Sequence, residues 1–143
     1  MVELVLISPL LFLLVGGIIQ LALALNYWMD MQRIANQGAR WAVVARYPLP
    51  DGGSCTASNA SCDPSLQDSL AAQAESESLN PRVSICFPDG SNSPGDPVKV
   101  RLETGFSFVP ILGIGTVTLG ADAEMRIEQP PLNVYAESAD CRR

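Results

Sequence analysis

Leu4 to Leu25, LVLISPLLFLLVGGIIQLALAL, holds twenty-two residues without a charge, and no other stretch of the chain limits its fold so strongly. As a helix rising about 1.5 Å per residue it measures roughly 33 Å, the depth of a bilayer's hydrocarbon core. The run reads as a membrane-spanning helix. Glu3 stands directly before it with no basic neighbour, since only Met1 and Val2 precede it. A carboxylate at the edge of lipid is costly enough to signal a function or a partner, or else it sits in the headgroup layer. An uncleaved anchor carries Lys or Arg on its cytoplasmic flank, so the expectation is a basic leader removed to leave Met1 as the first residue.

The helical pattern continues beyond the apolar run. From Asn26 to Arg46 there is no proline, and Tyr27, Met31, Ile34, Gly38, Trp41 and Ala45 recur at steps of three and four. Asp30, Gln32, Arg33, Asn36, Gln37 and Arg40 fall mostly off that stripe, which makes the second half amphipathic. The two halves form one rod of about 45 residues, roughly 65 to 70 Å long, ended by Tyr47-Pro48. Two places weaken it. Pro9 cannot donate to the carbonyl of Val5, and Gly16-Gly17 costs about 1 kcal/mol per glycine in an exposed helix. The glycines have two readings: points of local unwinding, or close packing between membrane helices.

The remaining chain suffices for one small domain. The expected organisation is a helix over 1–47 and an extracytoplasmic head over 48–143. Residues 1–46 carry a net charge of +1 and residues 47–143 carry −7, which argues against a nucleic-acid partner. All four cysteines, Cys55, Cys62, Cys86 and Cys141, follow the rod. An even number in a segment that leaves the cytoplasm implies two disulfides. Three pairings exist; the reading favoured here is a local Cys55–Cys62 staple and a Cys86–Cys141 clasp. With no histidine in the chain, a zinc site is a poor fit. Asn59-Ala60-Ser61 matches the glycosylation acceptor pattern, a tripeptide frequent by chance.

Within the head, PLPDGGSCTASNASCDP reads as an irregular loop. Asp63-Pro64 reads as an N-cap with proline at the first helical position, opening a short helix from Pro64 to about Leu79 with Leu66, Leu70 and Ala74 on one face. Arg82 to Phe87 alternates as a strand, and PDGSNSPGDP reads as a solvated hairpin loop, because Asp89, Asn92 and Asp96 lack the spacing and closing glutamate of a calcium loop. Strands are expected over Val98–Val109 and Thr116–Gln129, joined by the apolar connector PILGIG. Three antiparallel strands with one apolar face need a lid, and the amphipathic half of the rod has the matching stripe. The fold class is therefore α+β: a long amino-terminal helix packed on an antiparallel sheet of about three to four strands, with one short helix and disulfide ties. The tail PPLNVYAESADCRR reads as extended and held by Cys141, or packed on a neighbour.

In this arrangement VELVLISPLLFLLVGGIIQLALALNYWMDMQRIANQGARWAVV resembles the amino-terminal signature of the TadE-like pilus proteins, in which a glutamate precedes a proline-bearing apolar run. VPILGIGTVTLGADAEMRIE is similar to the close of the same family. The resemblance covers about the first 47 and the last 45 residues and is strongest around Glu3, Pro9 and Gly38-Ala39-Arg40. Glu3 stands two residues nearer the start than the family pattern places it, which a shifted processing site or trimmed numbering would each explain. The resemblance implies processing by a prepilin peptidase, a helix in the inner membrane with the head outside, and a part in a pilus or its assembly machinery.

Two functions follow as expectations. The first is a pilin-like structural subunit that polymerises with copies of itself into an extracellular helical filament for surface attachment. Within it, Glu3 pairs with a neighbour's Met1 amino group and sets the register, since a carboxylate in an apolar core needs a partner. The second is a membrane-anchored minor pilin or assembly accessory of a Tad-type system. The rod's length and its small residues Ala35, Gly38, Ala39, Ala42 and Ala45, which permit close approach, lean towards the first. No catalysis and no cofactor are expected: there is no G-x-S-x-G motif and no phosphate loop.

Overall fold

A proline-free, glycine-poor sequence keeps the second half of the rod helical, and the first half stays helical through Pro9. Helix α1 runs unbroken over Val2–Val44. The computed structural model describes residues 2–49, 51–56, 62–74, 81–91, 93–107 and 115–129, with side chains from Ile7 onward. The helix ends three residues earlier than the sequence pattern suggests. Ala45 takes a left-handed conformation with φ 50°, and the chain turns out of the helix into strand β1, Arg46–Pro48. The Val43 carbonyl, left without a helical partner, accepts from the backbone N–H groups of Glu128 and Gln129, both at 3.3 Å.

The segment read as an irregular loop contains a small hairpin. Strand β2, Ser54–Thr56, pairs antiparallel with β1, placing Tyr47 opposite Cys55. Gly52 with φ 84° makes the turn between them. The Cys55–Cys62 disulfide is formed and leads towards helix α2, Leu66–Gln73. This helix is shorter than expected and starts later. Its cap is Ser65, whose Oγ accepts from the Asp68 N–H at 3.2 Å, and Asp63-Pro64 lies outside the helix. Leu66 and Leu70 face the core as expected; Leu79 lies outside the described residues.

Strands β3, Arg82–Cys86, β4, Pro97–Ser107, and β5, Thr116–Arg126, form an antiparallel sheet in that order. The register aligns Ile85, Val100 and Ala123 across it, with Leu102 beside Ala121 in the next row. Period-two alternation places Val98, Val100, Leu102 and Thr104 of β4 on the buried face. Lys99, Arg101 and Glu103 point the other way, where Lys99 pairs with Asp122 at 3.0 Å and Arg101 with Glu103. Helix α1 lies across β4 and β5, and α2 fills the space between α1 and β3. The result is the α+β class expected from the sequence: helices on one face of a three-stranded sheet, with a second sheet of two strands.

The core cluster draws Met31, Ile34, Ala35, Ala39, Ala42 and Val43 from α1, Leu66 and Leu70 from α2, and the inward row of the sheet. This corrects one inference from the sequence. Ala35, Ala39 and Ala42 are wholly buried inside a single chain and Ala45 nearly so, because the head claims the surface that they offer. Gly38 lies against the same packed surface. A Cβ built there would meet Leu70 Cδ1 at 2.6 Å, so α2 sits where a side chain would stand.

Two of these contacts give measurable expectations. Gly38→Ala gains up to about 1 kcal/mol of helix propensity but overpacks Leu70 at a cost of about 1 to 3, so the variant is less stable in denaturant titration. Leu70→Val in the same chain recovers part of that loss. Tyr47, a buried residue of β1, donates from Oη to the Pro64 carbonyl at 2.8 Å. Burial pushes its phenol above the ordinary tyrosine value, with Asp68 and Asp63 adding to the shift. The folded state thus holds its proton after the unfolded chain has released it, and stability present at neutral pH falls as pH rises beyond about 10. Tyr47→Phe costs about 1 kcal/mol at neutral pH and flattens that alkaline fall in unfolding measured against pH.

Candidate functional site

Helix α1 presents two unlike surfaces. Beyond about Met31 one face is closed off by the sheet and α2. Between Ile7 and Leu25, twelve large apolar side chains stand in the open, from Val15 at 45 % exposure to Phe12 at 74 %. Covering twelve such residues is worth on the order of 10 to 20 kcal/mol. By length and composition the segment within Ile7–Val44 is able to cross a membrane, and only 6 % of its most apolar window is buried. That low burial separates it from the interior helix of a water-soluble fold.

The boundary between the surfaces is marked by side chains that tie helix to sheet. Trp28 Nε1 donates to the Gly120 carbonyl at 3.2 Å, and the rings of Tyr27 and Phe106 lie 5.9 Å apart at 52°. One turn on, Asp30 takes two hydrogen bonds from Arg33 and forms an ion pair with it at 2.9 Å. The first acidic group after the apolar run is thereby neutralised just beyond the aromatic pair. Ala24 is the one buried residue between Ile7 and Asp30 among the described residues.

Among the residues singled out from sequence, Met1 lies outside the described residues, and Glu3 is placed only as part of the first turn of α1. Pro9 is accommodated without a break. Around Gly16 and Gly17 a Cβ would meet nothing within 4 Å, so no contact inside the chain demands glycine at either position. The Cys55–Cys62 bridge is present. Cys86 is disulfide-bonded, and its expected partner Cys141 lies outside the described residues, as does Asn59. The sequence did not signal the Trp28–Gly120 bond or the buried Ala24, since both depend on where β5 runs.

Elsewhere the surface offers a depression of about 620 Å³ beside the β3–β4 loop, lined by Asp89, Gly95, Pro97, Glu124, Met125 and Arg126. Among the described residues no three His, Cys, Asp or Glu groups are placed to share a metal ion. The chemistry that the arrangement supports most directly is burial of the apolar half of α1, in lipid or against other helices. Leu14→Lys together with Ile18→Lys, each costing about 2.5 to 3.5 kcal/mol at the centre of a span, is expected to move the protein from the detergent phase to the aqueous phase in cloud-point partitioning.

No curated protein and no solved structure matches the chain. A family model matches within α1 and does not reach the last 45 residues, where a resemblance to the same family is expected from the sequence. Residues 1–40, spanning the apolar run and the first part of the face that holds the sheet, match the family model described as TadE-like protein.

Proposed function

We propose that this chain is a pilin-like structural subunit which polymerises through the apolar half of α1 into an extracellular helical filament used for surface attachment. The observation that carries the reading is the row of exposed apolar side chains from Ile7 to Leu25. In the inner membrane lipid covers them. When the helix leaves lipid they need another cover, and rods from neighbouring copies supply one at the same energetic scale. The TadE-like match supports a pilus context; in this reading a prepilin peptidase and an assembly machinery handle the chain.

Within such a bundle Glu3 enters an apolar environment and requires a counter-charge. The amino group of a neighbour's Met1 meets that need and fixes the axial step between copies. Because the head consumes Ala35, Ala39 and Ala42, contacts between rods fall on the segment below Leu25. Gly16 and Gly17, where a Cβ would meet nothing within 4 Å, are the natural points of closest approach. This reading assigns the protein no catalytic role. A membrane-anchored minor pilin or assembly accessory is the second reading, favoured by a family match confined to residues 1–40.

Cryo-electron microscopy of appendages sheared from source cells separates the two. The expected result is a filament built of this chain with its rods in the centre. Filaments of another protein, with this chain left in the membrane fraction, select the accessory role. Glu3→Ala is expected to remain in the membrane and yield no filaments; normal filaments from that variant overturn the register pairing.

A further inference from the structure

Strand β5 lies on α1 in a fixed alignment. One end is set by Val43 O, which accepts from Glu128 and Gln129, and the other by Trp28 Nε1, which donates to Gly120 O. Between these points the helix advances about 23 Å and the strand about 26 Å, so the two run side by side in the same direction. Thr116 lies four residues beyond Gly120, a further 13 Å or so, which brings it level with about Ile19 and Gln20 of the helix. Burial along α1 agrees. Ala24 is 6 % exposed and Gln20, four residues below it on the same face, is half-buried, while Leu21, Leu23 and Leu25 stay open.

Both elements lose their charges at the same level. On α1 no charge occurs between Glu3 and Asp30. On the hairpin, Lys99, Arg101, Glu103, Asp122, Glu124 and Arg126 all lie at or above the Glu103↔Gly120 pair. Below that pair, Thr104–Ser107 and Gly115–Leu119 carry none. Tyr27 and Trp28 mark the boundary on the helix, and below it on the hairpin Phe106 lies opposite Val117, which is 46 % exposed.

We propose that the uncharged end of the β4–β5 hairpin is a second membrane contact, entering the outer interfacial layer of a phospholipid bilayer beside the spanning helix through Phe106 and Val117. The proposal rests on membrane anchoring by α1, which fixes the plane of the bilayer. Apolar and aromatic side chains at the boundary between headgroups and acyl chains are the usual composition of an interfacial contact. The depth is limited by Ser107, Thr116 and Thr118 and by the outer edge of β5, whose polar groups keep their hydration only at the interface. The partner is lipid because the hairpin's charge boundary continues that of the helix.

The test places a p-benzoyl-phenylalanine photocrosslinker at Val117, at Leu14 or at Lys99 of the full chain, reconstituted at high dilution in vesicles of phosphatidylethanolamine and phosphatidylglycerol. Adducts are read by mass spectrometry. The expected result is a lipid adduct from position 117 in yield comparable to that from position 14, and its loss at position 99. A lipid adduct at 14 with none at 117 overturns the proposal while anchoring stands. Adducts at 117 to a second copy of the chain in place of lipid also overturn it, making the hairpin a subunit contact. No lipid adduct at 14 removes the anchoring reading and the proposal with it.

Discussion

The structure depends on the packing of α1 against β4 and β5. The buried stripe of the helix is made chiefly of small residues, with Ala35, Ala39 and Ala42 wholly enclosed. Strand β5 answers with Ala121 and Ala123, and Gly38 leaves room for Leu70. Small residues on both surfaces bring the helix close to the sheet, where dispersion contacts are dense and a lost methylene leaves a void. The rest of the head follows from this seam. Helix α2 fills the remaining gap over β3, and the Val43 carbonyl takes the strand's exit as its cap.

The long helix and the sheet were legible because their signals are periodic. The 3.6-residue stripe of the rod and the strict alternation of Val98, Val100 and Leu102 each leave one geometry that buries their apolar side. The seam itself was foreseen from the fit of two stripes. What misled was local chemistry near proline. Asp63-Pro64 has the composition of a helix start, yet the side chain that satisfies the first turn is Ser65. Likewise Tyr47-Pro48 reads as a helix stop, but Ala45 had already left the helix and Tyr47 went into a strand. The small residues of the rod were identified correctly and given the wrong occupant, because sequence periodicity shows that a face needs cover without saying whether the cover comes from within.

One helix therefore serves two owners. Its upper face is covered by its own chain, and its lower part is left uncovered within the chain. The TadE-like match reaches residue 40, past the aromatic boundary and well into the docking face. The matched pattern thus includes Met31, Ile34, Ala35 and Ala39, side chains committed to the head, as well as the apolar run. The sheet that they hold lies outside the match, as does the disulfide-tied hairpin.

Because α1 passes from one territory to the other without a break at Pro9, Gly16 or Gly17, and because β5 is fastened to it at both Trp28 and Val43, the structure sets the head at one rotation about the rod. The outward face of the sheet, with its Lys99–Asp122 and Arg101–Glu103 pairs, therefore holds a fixed azimuth relative to the apolar run. Each helical residue turns the chain by about 100°, so the number of residues between the two territories acts as a phase angle. Adding or deleting one of them would leave both surfaces chemically intact and point the charged face in a different direction.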